Sequence, residues 1–278
     1  VLRNLIKRAC TGIIFVAVII GAIWLHSYSY LALFSLVVAL LLWEFYGLVE
    51  QSEKAYLKHL LYSLGGVYLF CASFTYSHSL LSSMVFLPYI LFLMGVLIAE
   101  LYIKGANPIR NCSLAIFGQL YIAGSFSLLN FISAQPNTPG EISYVPIYVL
   151  AIFVFIWLND TGAYLIGSLL GKHRLFERIS PKKSWEGFWG GFIIALLSSL
   201  IFPQTLTGAN GLIWLGFATV VVIAGTYGDL FESLMKRTLE VKDSGKILPG
   251  HGGMLDRFDS IIFAIPAAYI YIEIWMQL

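Results

Sequence analysis

Apolar residues run along this chain in unbroken blocks. Thr11–Leu25, Leu31–Trp43 and Tyr144–Leu158 hold no charged side chain, and with their weakly polar flanks they reach the roughly 20 residues a helix needs to cross a bilayer core. Polar, Gly and Pro punctuation divides the chain into about nine such stretches, near 11–27, 30–48, 59–78, 83–103, 112–133, 145–170, 187–203, 211–230 and 258–276. They are apolar on every face, whereas a transmembrane β-barrel strand alternates apolar and polar residues. The expected fold is therefore all-α, a polytopic integral membrane protein with about nine transmembrane helices.

Composition agrees, since 59% of the 278 residues are hydrophobic and 12% charged, about half the charged fraction of a soluble domain. The first stretch follows Arg3, Lys7 and Arg8 as the core of a secretory signal would. His26, Ser27 and Tyr28 offer no small-x-small cleavage site, however, so it reads as a retained helix. Cys10, Cys71 and Cys112 form no CxxC pair and read as packing residues. With the amino terminus cytoplasmic, all 17 Lys and Arg residues fall on inner segments, and cations flanking spans resist translocation. Adding or deleting one span would scatter them onto both sides, so the asymmetry also constrains the count. Residues 1–140 are nearly all apolar helix with short connectors. Most polar clusters fall within 141–278, on cytoplasmic loops 171–186 and 231–257, which marks that half as the catalytic region.

Asp229 lies at the inner end of one span, while Asp256 and Asp259 open the next, three residues apart and so on one helix face. Three carboxylates at adjoining helix ends suit a hard divalent cation such as Mg²⁺, which takes oxygen ligands and usually substrate phosphates too. Interfacial charge partnered by Arg237 and Arg257 is the plainer alternative. Between them lie Lys236, Arg237, Lys242, Asp243 and Lys246, then Pro249-Gly250-His251-Gly252-Gly253. Glycines permit the turns and close approach of a phosphate-cradling loop, and lysines supply mobile positive charge. His251 contacts phosphate, acts as an acid, or only orders a turn.

Upstream, Ser180 and Pro181 read as the N-cap and first residue of the helix that enters at 187. Lys182 and Lys183 there oppose the helix dipole unless an anion is bound; lipid headgroup binding by this basic loop is the alternative. Asn159, Asp160 and Thr161 sit in an apolar span, where an ionisable residue is functional by default or bridges helices. Gly162, Gly167 and Gly171 allow close helix packing in either case. Glu44 and Glu100, single acids near inner helix ends, read as interfacial.

The pattern as a whole resembles the CDP-diacylglycerol synthase, or phosphatidate cytidylyltransferase, family. Ser233, Lys236-Arg237, Lys242-Asp243, Gly245, Pro249, His251-Gly252-Gly253, Asp256-Arg257 and Asp259 fall at that family's signature spacing. Asn159-Asp160-Thr161 with Ala163-Tyr164, and Ser180-Pro181-Lys182-Lys183 through Glu186-Gly187, are similar to its upstream motifs, with Ser184 where Thr is usual. The resemblance is specific over 157–260 and general, as apolar helices, before that.

What the resemblance implies is transfer of a cytidylyl group from CTP to phosphatidate with Mg²⁺ required, the number of acids leaving room for a second cation. It makes Asp229, Asp256 and Asp259 the metal ligands, with Lys242, Asp243 and His251 beside them in the catalytic set. Lys182, Lys183, Ser184, Lys236, Arg237, Lys246, Asn159, Asp160 and Arg257 become the substrate-binding set. The family's role in phospholipid synthesis points to a bacterial inner membrane, with membrane lipids as partners, no nucleic acid, and a homodimer left open. A CDP-alcohol phosphotransferase would carry a D-x2-D-G-x2-A-R pattern, which is absent. A cation-coupled transporter would show paired, repeat-related helix breaks, and none is evident.

Overall fold

The computed structural model describes residues 2–53, 57–104, 107–138, 141–202, 210–245 and 252–276. Helix occupies each of the nine predicted stretches: α1 (Leu2–Leu25), α2 (Ser27–Glu53), α3 (His59–Ser77), α4 (Leu87–Ala99), α5 (Pro108–Gly118) continued by α6 (Ser125–Ser133), α7 (Ile147–Leu170), α8 (Trp185–Ser199), α9 (Gly211–Thr238) and α10 (Leu255–Met276). Among the described residues, six helices are long and apolar enough to cross a membrane: 27–51, 83–102, 108–133, 147–170, 211–238 and 255–275. The apolar part of α1 is the shorter Thr11–Leu25. With 15 residues, α8 is about 22 Å long at 1.5 Å per residue, less than the roughly 30 Å hydrocarbon core.

Three local features differ from expectation. α9 runs on to Thr238 rather than ending near 230. No Gly or Pro interrupts it there, and the i,i+4 pairs Asp229 with Ser233 (3.3 Å) and Glu232 with Lys236 (2.5 Å) favour continued helix. Two antiparallel hairpins interrupt the helical pattern, β1 (Ala134–Thr138) with β2 (Glu141–Tyr144), and β3 (Arg174–Phe176) with β4 (Ser180–Ser184). The second corrects the helix start: Ser180 and Pro181 are strand residues. Ser184 is the N-cap of α8, its hydroxyl accepting from the Gly187 amide at 3.1 Å. Pairing of Arg174 with Ser184 and Phe176 with Ser180 supplies the backbone partners that an earlier helical turn would have had to provide.

The chain forms two compact units, Val1–Pro146 with Leu239–Arg257, and Ile147–Thr238 with Phe258–Leu278. The first packs Tyr30, Phe34, Phe45, Tyr46, Phe70, Phe74 and Phe126, all fully buried. Two buried amides tie its helices together. Asn130 on α6 donates to the Phe70 carbonyl (2.8 Å) and the Ser73 hydroxyl (2.7 Å) of α3, and accepts from Tyr30 of α2 (3.0 Å). Gln119, in the π-helical turn Gln119–Gly124 between α5 and α6, donates to Tyr46 (2.9 Å) and to the Tyr62 carbonyl (2.8 Å).

In the second unit α7 and α8 cross on glycines. A Cβ at Gly162 would lie 2.9 Å from the Gly191 Cα, and one at Gly167 would lie 3.4 Å from the Gly187 Cα. Tyr148, Phe155, Phe202, Trp214 and Phe217 stack around one another where α7 and α9 begin and α8 ends.

Asn130→Ala removes an acceptor of the buried Tyr30 hydroxyl and the donor to Ser73 and the Phe70 carbonyl, and buried polar groups that lose a partner cost about 1–3 kcal/mol. Thermal unfolding in detergent should show a clear loss of stability. An unchanged midpoint would mean that the Asn130 network does not hold α2, α3 and α6 together.

Candidate active site

A cavity of about 600 Å³ opens in the second unit against α7, β4, the start of α8 and α9. Its polar lining includes Asn159, Asp160, Arg174, Lys182, Lys183 and Asp229, and Tyr164, Leu175 and Phe188 supply its apolar side. The predicted residues of 159–160, 182–184 and 229 are thus gathered at one place from three separate segments. β4 carries Lys182 and Lys183 directly to the amino terminus of α8. Lys183 donates to the Asp229 carboxylate, which also accepts from Ser233 at 3.3 Å. Ser184 is buried and engaged as the cap of α8, so its hydroxyl already has a structural task. Asn159 is buried with its side-chain oxygen 2.8 Å from where a Cβ of Gly191 would stand, and that oxygen has no hydrogen-bond partner among the described residues.

A second group of charges lies in the same unit. Asp259 accepts from the Ser260 amide at 2.6 Å, and Asp229, Glu232 and Asp160 are near enough to act on it electrostatically. Glu232, fully buried, pairs with Lys236 at 2.5 Å. Lys236, expected to meet phosphate, is therefore directed at a carboxylate of its own helix. Sequence reasoning missed Glu232, although its i,i+4 spacing to Lys236 was the available signal. Carboxylates and cations are thus interleaved here, with Lys183 and Lys236 paired to Asp229 and Glu232 and with Lys182 and Arg174 also on the cavity wall.

That donor chemistry fits Mg²⁺. Among the described residues no three His, Cys, Asp or Glu side chains converge to hold a metal by themselves. Mg²⁺, however, is usually held by one or two carboxylates and completes its shell with water and substrate phosphates. Asp229 and Asp259 would supply the two.

Asp256 belongs to the first unit. Its carboxylate accepts from the Ser244 amide (3.0 Å) and the Gly253 amide (2.8 Å), tying Ser244 to the start of α10. Lys242 and Asp243 are exposed on the bend leading to Ser244, and Arg237 and Arg257 are exposed as well. Lys246 and His251 lie outside the described residues. Glu44 was read as interfacial; it is instead 6% exposed and bonded to Ser244, Met254 and Leu255. Its signal was an acid directly after the long apolar run Leu31–Trp43, which is costly unless used.

The model of the cytidylyltransferase family matches residues 6–275. The chain belongs to that family. Phosphatidate cytidylyltransferases of Staphylococcus epidermidis and Staphylococcus aureus are each 50% identical to it, over 121 and 124 residues. That of Staphylococcus saprophyticus is 49% identical over 121 residues. Each alignment covers 43% of this chain and 46% of the relative, so the match spans less than half the length of these curated relatives.

In this cytidylyltransferase-family chain the basic hairpin is latched by Glu186. Its carboxylate accepts from the Lys172 amide (3.1 Å), the His173 amide (3.2 Å) and the His173 ring (2.6 Å). Its own backbone amide, the His173 side chain and the two connector amides lower its pKa to about 2 from the ordinary 4.5. A carboxylate so depressed contributes above its unfolded-state pKa and loses that contribution as pH falls through the folded one. Amide exchange at Lys172 and His173, corrected for intrinsic rates, should therefore stay protected from pH 7 to 5 and weaken only between about 4.5 and 2. Loss of protection at pH 6, or full protection in Glu186→Ala, would show that Glu186 is not the latch.

Proposed function

We propose that this chain transfers the cytidylyl group of CTP to phosphatidate, releasing pyrophosphate and forming CDP-diacylglycerol with Mg²⁺, at the cytoplasmic face of a bacterial inner membrane. The observation that carries the reading is the cavity that brings Lys182 and Lys183 against Asp160 and Asp229, in a chain of the cytidylyltransferase family. The carboxyl-terminal half, 141–278, would do the chemistry, and 1–140 would serve mainly as lipid-facing scaffold.

The chemistry asks little covalent help of the protein. A phosphate monoester has a second pKa near 6, by analogy with phosphoserine, and is largely dianionic at pH 7. Its oxygen attacks the α-phosphorus of CTP, the bond to the β-phosphate breaks, and pyrophosphate leaves with the electron pair. The obstacle is bringing two polyanions together and holding them in line. Arg174, Lys182 and Lys183 place positive charge around the cavity, and Lys183 is held in position by Asp229. A bound Mg²⁺ would supply further charge neutralisation on the phosphates. Tyr164, Leu165 and Leu169 are exposed on α7, an apolar flank suited to acyl chains that remain in the bilayer.

Nine crossings with the amino terminus inside are supported by the distribution of the cations and by contacts within each unit. In the first, predicted outer ends meet where Tyr144 donates to the Ile23 carbonyl at 2.7 Å, and predicted inner ends meet where Glu44 accepts from Met254 and Leu255. In the second, Tyr148 stacks on Trp214 at outer ends, and Lys183 pairs with Asp229 at inner ones. A single cysteine introduced at Arg178 should label from the cytoplasmic side only. Labelling from the periplasmic side would reject this topology.

Purified protein given labelled CTP, phosphatidate and Mg²⁺ should form a lipid-linked cytidylyl product. Folded protein that forms none would refute the reaction. Asp229→Asn keeps the side-chain shape but removes the charge facing Lys183, and kcat should fall on the order of 100-fold or more. Near-normal turnover would remove Asp229 from the site.

A further inference from the structure

Glu44 is a carboxylate buried in an apolar helix, α2, and each of its bonds goes to the segment that opens α10. Oε1 accepts from the Ser244 hydroxyl at 3.0 Å, and Oε2 accepts from the backbone amides of Met254 (2.5 Å) and Leu255 (3.0 Å). Amides at the start of a helix have no intrahelical partner and carry the positive end of its dipole. They are ordinarily capped by a side chain two or three residues away. Here the cap comes from 210 residues upstream in sequence.

The anchor extends one shell further. The Ser244 hydroxyl that donates to Glu44 also accepts from the Asp256 amide at 3.3 Å, and the Asp256 carboxylate closes back on the Ser244 and Gly253 amides. Two glycines make room for it. The three nearest neighbours of a Cβ built on Gly245 are all atoms of the Glu44 side chain, its Cδ at 2.6 Å, and a Cβ on Gly253 would also strike that carboxylate. Gly252, at φ +80°, turns the backbone just before Gly253 and α10. Glu44 thus sets where the first turn of α10 begins and how Asp256 is held.

We propose that Glu44 is a positioning residue for cytidylyl transfer, fixing the first turn of α10, with Ser244 and Asp256 bound to it, in the arrangement the reaction uses. The inference rests on the reaction proposed above and adds to it a residue from the amino-terminal half.

The test compares Glu44→Ala, Glu44→Gln, Gly245→Ala and the Glu44→Ala/Gly245→Ala double variant in purified full-length protein. A displaced catalytic element costs turnover on the order of 100-fold, so Glu44→Ala should lower kcat by about that factor while leaving KM for CTP and phosphatidate within about twofold. The Gln amide oxygen can accept from both backbone amides and its NH₂ can donate to Ser244. Glu44→Gln should therefore keep kcat within about threefold of wild type. Gly245→Ala should lose turnover as Glu44→Ala does, and the double variant should be no worse than Glu44→Ala alone, because the methyl then occupies the vacated space. Amide exchange at Met254 and Leu255 should rise in Glu44→Ala while the rest of the chain keeps its protection.

Wild-type kcat in Glu44→Ala, a Glu44→Gln as poor as Glu44→Ala, or unchanged exchange at Met254 and Leu255 would each overturn the proposal and leave the reaction standing. If Glu44→Ala fails to fold, the Gln and Gly245→Ala variants decide by the same criteria. A wild-type protein that makes no CDP-diacylglycerol removes the reaction itself, an outcome distinct from all of these.

Discussion

A carboxylate on a helix that crosses a bilayer must be met by protein, because water is not there to solvate it. Taking one ion out of water costs several kcal/mol even after relaxation, and total stabilities are only about 5–15 kcal/mol. A handful of unmet acids would therefore unfold the chain. Two kinds of partner meet that constraint. Lysines answer some carboxylates, Lys183 for Asp229 and Lys236 for Glu232. Backbone amides answer others, at Met254 and Leu255 for Glu44 and at Ser244 and Gly253 for Asp256.

The difference bears on what each group of acids can do. Amide dipoles satisfy a carboxylate in a fixed geometry and leave little reason for an added ion to enter, so Glu44 and Asp256 act as anchors of a loop and a helix start. Ion pairs with lysine are exchangeable. A polyanion would offer Lys183 a second partner, and the carboxylate it released would be open to a cation. The cavity beside Asp229 holds both kinds of charge, as the proposed metal–nucleotide substrate would require.

Much of this was legible in the sequence. The nine helical stretches were, because an apolar run long enough to span leaves few alternatives to helix. Asp229, Asp160 and Lys183 stood out because charge next to such runs is costly. The β3–β4 hairpin was not legible. Its strands are three and five residues long and rich in Arg, Lys and Pro, and Ser-Pro is as good a local signal for a helix start as for a strand. Only the pairing of Arg174 with Ser184 decides between them, and that contact spans a turn no local signal marked. Glu44 escaped for the same reason on a larger scale, since its donors lie about two hundred residues away.

The Gly-rich segment before α10 shows how a motif's residue types can be right and their first interpretation incomplete. Glycines among lysines suggest a phosphate cradle, yet the space at Gly245 and Gly253 is taken by the carboxylate of Glu44, and Gly252 turns the chain toward Asp256. Those glycines are accounted for by the protein's own anions. A phosphate drawn there would face Glu44 and Asp256 as like charges, with their amide donors already committed. Among the described residues, the cations that line the cavity of the second unit are Arg174, Lys182 and Lys183. Within the first unit, then, the described glycines of the signature are part of the device that places a helix start.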